Sequence, residues 1–229
     1  MPDLVDRVTN AFNGKRIVIA GDLVADQFLS GSISRVSREA PVFILKHDHT
    51  ETRAGGAANA AANVASLGGV PLVVGVTGDD ENGRRLRKSL QNANVNCDSI
   101  LSNSDVTTTT KVRVLAGQSY SVKQQVIRID YENENNYSDD LKTRLIENLS
   151  AAASHADAIV VSDYGYGVVG QELFDEARDL SKKYSIPLIV DSRFRLREFG
   201  DATSATPNQE EVEQLLGQNF SDADCERLH

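Results

Sequence analysis

Arg16-Ile17-Val18-Ile19-Ala20-Gly21-Asp22-Leu23-Val24-Ala25-Asp26 decides the fold. Its first half is a short, continuous apolar run without polar alternation, the pattern of a strand buried on both faces. Runs of the same kind recur at Pro71-Leu72-Val73-Val74-Gly75-Val76, Ala158-Ile159-Val160-Val161 and Pro187-Leu188-Ile189-Val190. Between them lie helical patterns over 57–67, 80–92, 138–152 and 170–184. An amphipathic helix over 3–13 (Leu4, Val5, Val8, Phe12) precedes the first run and stops at Asn13-Gly14. Buried strand, helix, buried strand, repeated, predicts an α/β fold: a doubly wound, mostly parallel sheet with helices on both faces.

Two stretches break that rhythm. Residues 41–53 and 106–131 are rich in β-branched residues and partly alternate, as in Thr109-Thr110-Lys111-Val112-Arg113-Val114-Leu115 and Gln125-Val126-Ile127-Arg128-Ile129. Alternation means one wet face, so both read as strands of a small antiparallel sheet beside the main one, with a hairpin near Gly117-Gln118-Ser119-Tyr120. Such a flap, drawn from about 33–53 and 106–131 and inserted in a single domain over 1–229, is placed to cover a ligand. The tract Glu132-Asn133-Glu134-Asn135-Asn136 reads as a solvated connection.

With 24 Lys+Arg against 33 Asp+Glu the net charge is −9, which argues against a non-specific partner of nucleic acid or anionic membrane. Cys97 and Cys225 are too few for a disulfide framework or a zinc site. The first residues, Met1-Pro2-Asp3-Leu4-Val5-Asp6, lack the basic and apolar segments of a secretory leader, and no apolar run approaches a membrane span. These features predict a soluble, cytoplasmic protein.

Several polar clusters follow the buried runs. Asp22 and Asp26 follow the first, at the carboxyl end where ligands of open α/β sheets bind. Each could accept hydrogen bonds from paired hydroxyls of a sugar; alternatively Asp22 caps a turn and Asp26 is solvated. Gly55-Gly56-Ala57-Ala58-Asn59-Ala60-Ala61-Ala62-Asn63 opens a helix with free backbone N–H groups and a polar Asn59 one turn in. The small residues also fit a purely packing role. Ser162-Asp163-Tyr164 and Asp191-Ser192-Arg193 follow two further strands, and Thr206-Pro207-Asn208-Gln209-Glu210-Glu211 has the composition of an ordinary helix cap. Their placement at strand ends predicts convergence on one crevice. His47, His49, His155 and His229 have no metal-ligand spacing, and His47 and His49 are expected to be exposed. Gly78-Asp79-Asp80-Glu81-Asn82-Gly83 reads as a loop and helix start rather than a calcium loop. No Gly-x-Ser-x-Gly elbow, Walker A loop or Gly-x-Gly-x-x-Gly follows the first strand, which counts against a nucleotide-binding dehydrogenase.

The order Gly21-Asp22…Asp26, Gly55-Gly56-Ala57-Ala58-Asn59-Ala60-Ala61, Gly75-Val76-Thr77-Gly78-Asp79-Asp80 and Thr206-Pro207-Asn208…Glu211 resembles the ribokinase-like (phosphofructokinase-B type) sugar kinases, from about Lys15 to Glu213. Ser34-Arg35-Val36-Ser37-Arg38-Glu39-Ala40-Pro41-Val42, Thr110-Lys111-Val112-Arg113-Val114, Gln125-Val126-Ile127-Arg128-Ile129-Asp130 and Val161-Ser162-Asp163-Tyr164 are similar to the heptose 7-phosphate kinases of lipopolysaccharide core synthesis. The resemblance implies a doubly wound core with a β-lid that forms a homodimer clasp. It implies that Asp22, Asp26, Gly55, Gly56 and Asn59 hold sugar hydroxyls, with Asp163 beside them. Arg128, and with it Lys111 and Arg113, would reach a sugar phosphate from the lid, Arg by its planar fork. Asn208 and Glu211 would help place Mg²⁺, through Glu211, and the phosphates of ATP.

The sequence departs from that pattern in three places. Tyr166 stands where heptose kinases carry a lysine, and Asp191-Ser192-Arg193 where they carry Asp-Pro-Lys. The family's catalytic base is the Asp of a Gly-Ala-Gly-Asp motif, absent from these 229 residues. The fold is therefore expected to be C-terminally incomplete, the chain inactive by itself, and no residue in it the catalytic base. The alternative expectation is a non-catalytic sugar-binding or regulatory module derived from such a kinase.

Overall fold

Ile17 and Ile19 face one side of a central sheet and Val18 and Ala20 the other, and helices cover both sides. The computed structural model describes residues 4–118, 120–132 and 137–217, save for the side chains at 4 and 7–9. Cys225 and most of the connection expected over 132–136 lie outside the described residues. The elements begin with α1 (Leu4–Phe12), β1 (Arg16–Gly21), β2 (Leu23–Val36), β3 (Phe43–Gly56) and α2 (Ala57–Ser66). They continue with β4 (Val70–Gly78), α3 (Glu81–Asn92), β5 (Ile100–Asn103), β6 (Thr110–Gly117) and β7 (Gln124–Tyr131). After α4 (Asp139–Ala153) come β8 (Ala158–Asp163), α5 (Gln171–Tyr184), β9 (Leu188–Ser192), β10 (Ser204–Ala205) and α6 (Gln209–Leu216).

The central sheet has the order β10-β9-β8-β1-β4-β5, with every pairing parallel. From β1 the chain first winds through β4 to β5, then returns to β8 and winds the opposite way. The reversal falls between β1 and β8, the position at which the loops of a doubly wound sheet part and leave a crevice. On one face α2 and α3 bury Ala57, Ala58, Ala61, Leu86 and Leu90 against Ile17, Ile19 and Val73. The alanines let α2 sit close to the strands. On the other face Leu141, Leu145, Leu149, Leu173, Phe174, Ala177 and Leu180 of α4 and α5 pack on Val18, Ala20, Val74 and Ile159. Among the described residues no helix is long and apolar enough to cross a membrane.

The lid is larger than the alternation predicts, and it is mixed rather than antiparallel. Its order is β3-β2-β6-β7. Two hairpins, β2–β3 and β6–β7, are antiparallel, but β2 and β6 pair parallel from Ala25↔Thr110 to Ser32↔Gly117. Both of these strands leave the same end of the central sheet, β2 directly from β1 and β6 by way of residues 104–109, so they run alongside each other. The Ala25 N–H donates to the Thr109 carbonyl at 2.8 Å where they meet. The lid also begins at Leu23 instead of about 33. Leu23, Val24 and Ala25 are all buried, so the base of β2 has no wet face to alternate with.

Candidate functional site

A cleft of about 320 Å³ opens between the lid and the amino end of α2. Its floor and walls are Asp26 and Phe28 of β2, Arg53 to Gly56 of β3, Asn59 of α2, Lys111 and Arg113 of β6, and Tyr164. Four sequence-predicted groups (Asp26, Gly55-Gly56, Asn59 and Lys111 with Arg113) thus share one concave site. The two glycines have different reasons to be there. A Cβ on Gly55 would lie 2.5 Å from the Asp26 carboxylate. Gly56 has φ 56°, in the left-handed region, and a Cβ there would lie 2.5 Å from the Asp22 carbonyl. That carbonyl accepts the Ala57 N–H at 2.9 Å and so anchors the first turn of α2. Asn59 is exposed at the cleft edge.

Charge in the cleft is concentrated on the lid. The Asp26 carboxylate accepts from the Arg113 guanidinium at 2.5 Å, with each side chain about one quarter exposed (24% and 25%). Arg113 and Arg53 both lie over the Phe28 ring, 5.4 and 5.1 Å from its centroid. Lys111 lies 5.4 Å from the ring centroid of Tyr166, whose hydroxyl donates to Glu132 at 3.3 Å. Arg128 is exposed on β7 and pairs with Asp130 at 2.9 Å, on the same lid face but outside the cleft wall.

Two of the expected sugar ligands lie behind the cleft. Asp22 is 1% exposed, and its carboxylate accepts from the backbone N–H groups of Tyr164 (2.8 Å), Tyr166 (3.1 Å) and Val168 (3.0 Å). It stitches the loop after β8 to the end of β1. Burial pushes its carboxyl above the usual value, the three amides oppose this, and the neighbouring Asp163 adds to it. Asp163, also 1% exposed, accepts from the Ser192 hydroxyl (2.8 Å), the Gly165 N–H (3.1 Å) and Arg195 Nε and Nη2 (3.2 and 2.8 Å). With their oxygens so engaged, both residues are scaffold for the crevice, and neither faces its open space.

A second hollow, about 250 Å³, lies between residues 192–198 and α6, with Arg193, Arg197 and Glu211 on its walls. Asn208 and Glu211 form a reciprocal capping box: the Glu211 N–H donates to Asn208 Oδ1 (2.9 Å) and the Asn208 N–H to Glu211 Oε2 (2.8 Å). Asp191 stands next to this hollow, hydrogen-bonded by Thr206 and Tyr164. Burial raises its carboxyl above the usual value, and Glu211 and Asp163 push it further up against those hydrogen bonds. The polar clusters therefore meet at the sheet's carboxyl end but divide into two hollows, with Asp22 and Asp163 buried between them. Among the described residues no group of three or more His, Cys, Asp or Glu forms a cage for a metal ion.

Arg53 escapes the sequence reading, although it stands two residues before Gly55 and alternates with Glu51, which it pairs with at 2.8 Å. That alternation on a strand leading into the glycines was the available signal.

Residues 23–228 match the model of the pfkB family carbohydrate kinases. The bifunctional protein HldE of Gluconobacter oxydans is 39% identical over 90% of this chain and 42% of its own length. That of Coxiella burnetii is 35% identical over 99% and 45%. The chain thus spans less than half the length of these curated relatives. Among solved structures, Escherichia coli phosphofructokinase-2 in complex with substrates and products superposes with a TM-score of 0.67 at 19% identity, over 94% of this chain and 67% of that one. Arabidopsis thaliana ribokinase complexed with ribose and ATP gives 0.62 at 19%, over the same shares. The doubly wound core and strand lid are the ribokinase-like fold, and the chain belongs to the pfkB family of carbohydrate kinases.

Proposed function

We propose that this chain supplies the sugar-binding part of a kinase that moves the γ-phosphoryl group of ATP to a hydroxyl of a phosphorylated sugar, of the heptose 7-phosphate kind. One observation carries the reading. A single cleft holds the Asp26 carboxylate against Gly55 and gathers Arg53, Lys111 and Arg113 on the same wall. A carboxylate suits hydroxyls, and clustered guanidinium groups suit a phosphate. The HldE relatives support the heptose assignment by sequence.

The nucleotide belongs on this reading at the second hollow, where Arg193, Arg197 and the start of α6 meet. The hard oxygen donors Glu211 and Asp191 fit Mg²⁺, which takes one or two carboxylates together with substrate phosphates. When bound, the ion would offset charge on the transferring phosphoryl group. Asn208 and Glu211 would hold the amino end of α6 in place there. The residue that accepts the hydroxyl proton is not assigned within these 229 residues, which contain no Gly-Ala-Gly-Asp segment. Turnover by this polypeptide alone is accordingly not expected. The second reading is a sugar-binding or regulatory module without transfer. We also propose that the lid pairs with a second copy of the chain.

Melting curves of the purified protein test the cleft. A heptose 7-phosphate should raise the melting temperature without ATP, because a ligand of the native state stabilises by mass action, and Asp26→Ala should abolish the rise. Stabilisation by a nicotinamide dinucleotide instead would overturn the kinase reading, and an undiminished rise in Asp26→Ala would leave Asp26 no part in binding. ADP release in the presence of ATP and heptose 7-phosphate then separates kinase from module.

A further inference from the structure

The strand register of the lid sorts the charges on its cleft-side face into two rows. Asp26 pairs with Arg53 on one side and Lys111 on the other, and Lys111 with Asp130. Phe28 pairs with Glu51 and Arg113, and Arg113 with Arg128. Directly paired residues share a face of the sheet, and residues two apart along a strand do so as well. All eight side chains therefore lie on one surface. Each of the three carboxylates there is held by one arginine: Asp26 by Arg113 (2.5 Å), Glu51 by Arg53 (2.8 Å) and Asp130 by Arg128 (2.9 Å). Lys111 is in no ion pair among the described residues and lies against Tyr166.

Asp26 therefore does not wait free for hydroxyls. Its Oδ1 already accepts from Arg113, and a polyol that takes that oxygen must displace or share the cation. A neutral sugar would take the carboxylate and leave the guanidinium without an anion in a partly buried site, which is costly. A sugar that also carries a phosphate brings the replacement anion with it. Arg113 and Arg53 both lie over the Phe28 ring and both line the cleft, so each is placed to meet an anion bound there.

We infer that the Asp26–Arg113 ion pair is a specificity device, exchanged rather than added to when substrate binds. Hydroxyls take Asp26 while the phosphate takes Arg113, with Arg53 as its second arm. The cleft then prefers phosphorylated over neutral sugars, because a ligand that takes Asp26 Oδ1 breaks the pair and only a phosphorylated one compensates both halves. This rests on the sugar-kinase reading of the same cleft, and it adds Arg53 and the direction of a mutational effect.

Calorimetric titration of the purified protein with a heptose 7-phosphate and with the same heptose lacking phosphate tests it. In Arg113→Gln the phosphorylated sugar should bind on the order of tenfold more weakly. The neutral heptose should bind several-fold more tightly, by roughly a factor of three, since Asp26 has been released. Arg53→Gln, which leaves the Asp26–Arg113 pair intact, should weaken only the phosphorylated sugar, and it keeps the test open if Arg113→Gln fails to fold. Parallel loss of both ligands in either variant, or an unchanged preference, overturns the exchange while leaving the sugar-binding reading in place. Failure of the wild-type protein to bind either sugar overturns that reading and the inference together.

Discussion

Arg195 closes over Asp163 with two nitrogens, Nη2 at 2.8 Å from Oδ1 and Nε at 3.2 Å from Oδ2, across 32 residues of sequence. The same Nη2 donates to the Val169 carbonyl, and the Ser192 hydroxyl donates to Asp163 at 2.8 Å. The end of β8, the loop after it and the segment after β9 are thereby tied at one buried carboxylate, between the two hollows. Removing one member of such a pair leaves the other charge without compensation. Arg195→Met is expected to cost about 2–3 kcal/mol, below the full cost of breaking a buried pair, because 31% of the Arg195 side chain still meets solvent. Urea unfolding of the variant checks this. A loss under about 1 kcal/mol would mean that the pair contributes no more than a surface contact.

The glycine pair separates fold from binding. At Gly56 an added Cβ meets backbone, the Asp22 carbonyl, at a left-handed residue. Gly56→Ala should destabilise by about 3 kcal/mol, the sum of the conformational cost and the overpacking. At Gly55 the obstacle is the tip of the Asp26 side chain, which can move. Gly55→Ala should cost only about 1 kcal/mol yet displace the carboxylate and abolish the melting shift produced by a heptose 7-phosphate. If Gly55→Ala kept that shift in full, Asp26 would have no part in binding.

Asp80 joins the start of α3 to the root of the lid. Burial works against its charged form, but the Thr108 N–H (2.8 Å), the Gly83 N–H (2.7 Å) and the Thr108 hydroxyl (2.8 Å) outweigh it and hold the carboxyl below its ordinary 3.8. A carboxyl lowered on folding contributes stability above its unfolded value and loses it as the pH falls through the folded one. Asp80→Ala should therefore cost about 2–3 kcal/mol near neutral pH, from a lost cap and a stranded buried N–H. The difference from wild type should shrink once the pH drops below 3.8. Denaturation of both proteins from neutral to acid pH reads the difference directly. A gap that stays constant would show that the charge contributes nothing.

The core strands are legible because each is an unbroken apolar run with no competing pattern: Ile17 to Ala20 and Ile159 to Val161 have nowhere to lie but inside a covered sheet. The base of β2 is not, since Leu23-Val24-Ala25 continues the same burial past a sharp change of direction at Gly21, and no turn residue other than that glycine marks it. A Cβ on Gly21 would collide with the Ser162 carbonyl, a contact that exists only once β8 has paired with β1. For the site, a linear motif gives residue type but not direction. Asp22 and Asp26 are four residues apart; one turns into the protein to collect three amides and the other lines the cleft. Arg195, 32 residues from Asp163, could not be matched to it by any local spacing.

The lid's outer surface bears on assembly. Val112 pairs with Ile129 and Val114 with Ile127, on the face turned away from the charged cleft. Val112 and Val114 are each 9% exposed, whereas Ile127 and Ile129 on the edge strand remain 53% and 43% exposed. An exposed apolar edge strand is a ready site for pairing or packing, which soluble proteins cover or blunt with charge. A second copy presenting the same strip would bury it against itself with two-fold symmetry. Light scattering on the eluting protein should give a dimer for wild type and a monomer for Ile127→Asp/Ile129→Asp. The melting temperature should change little, since neither side chain packs in the two cores. A monomeric wild-type protein, or a double variant that stays dimeric, would remove the lid from the interface.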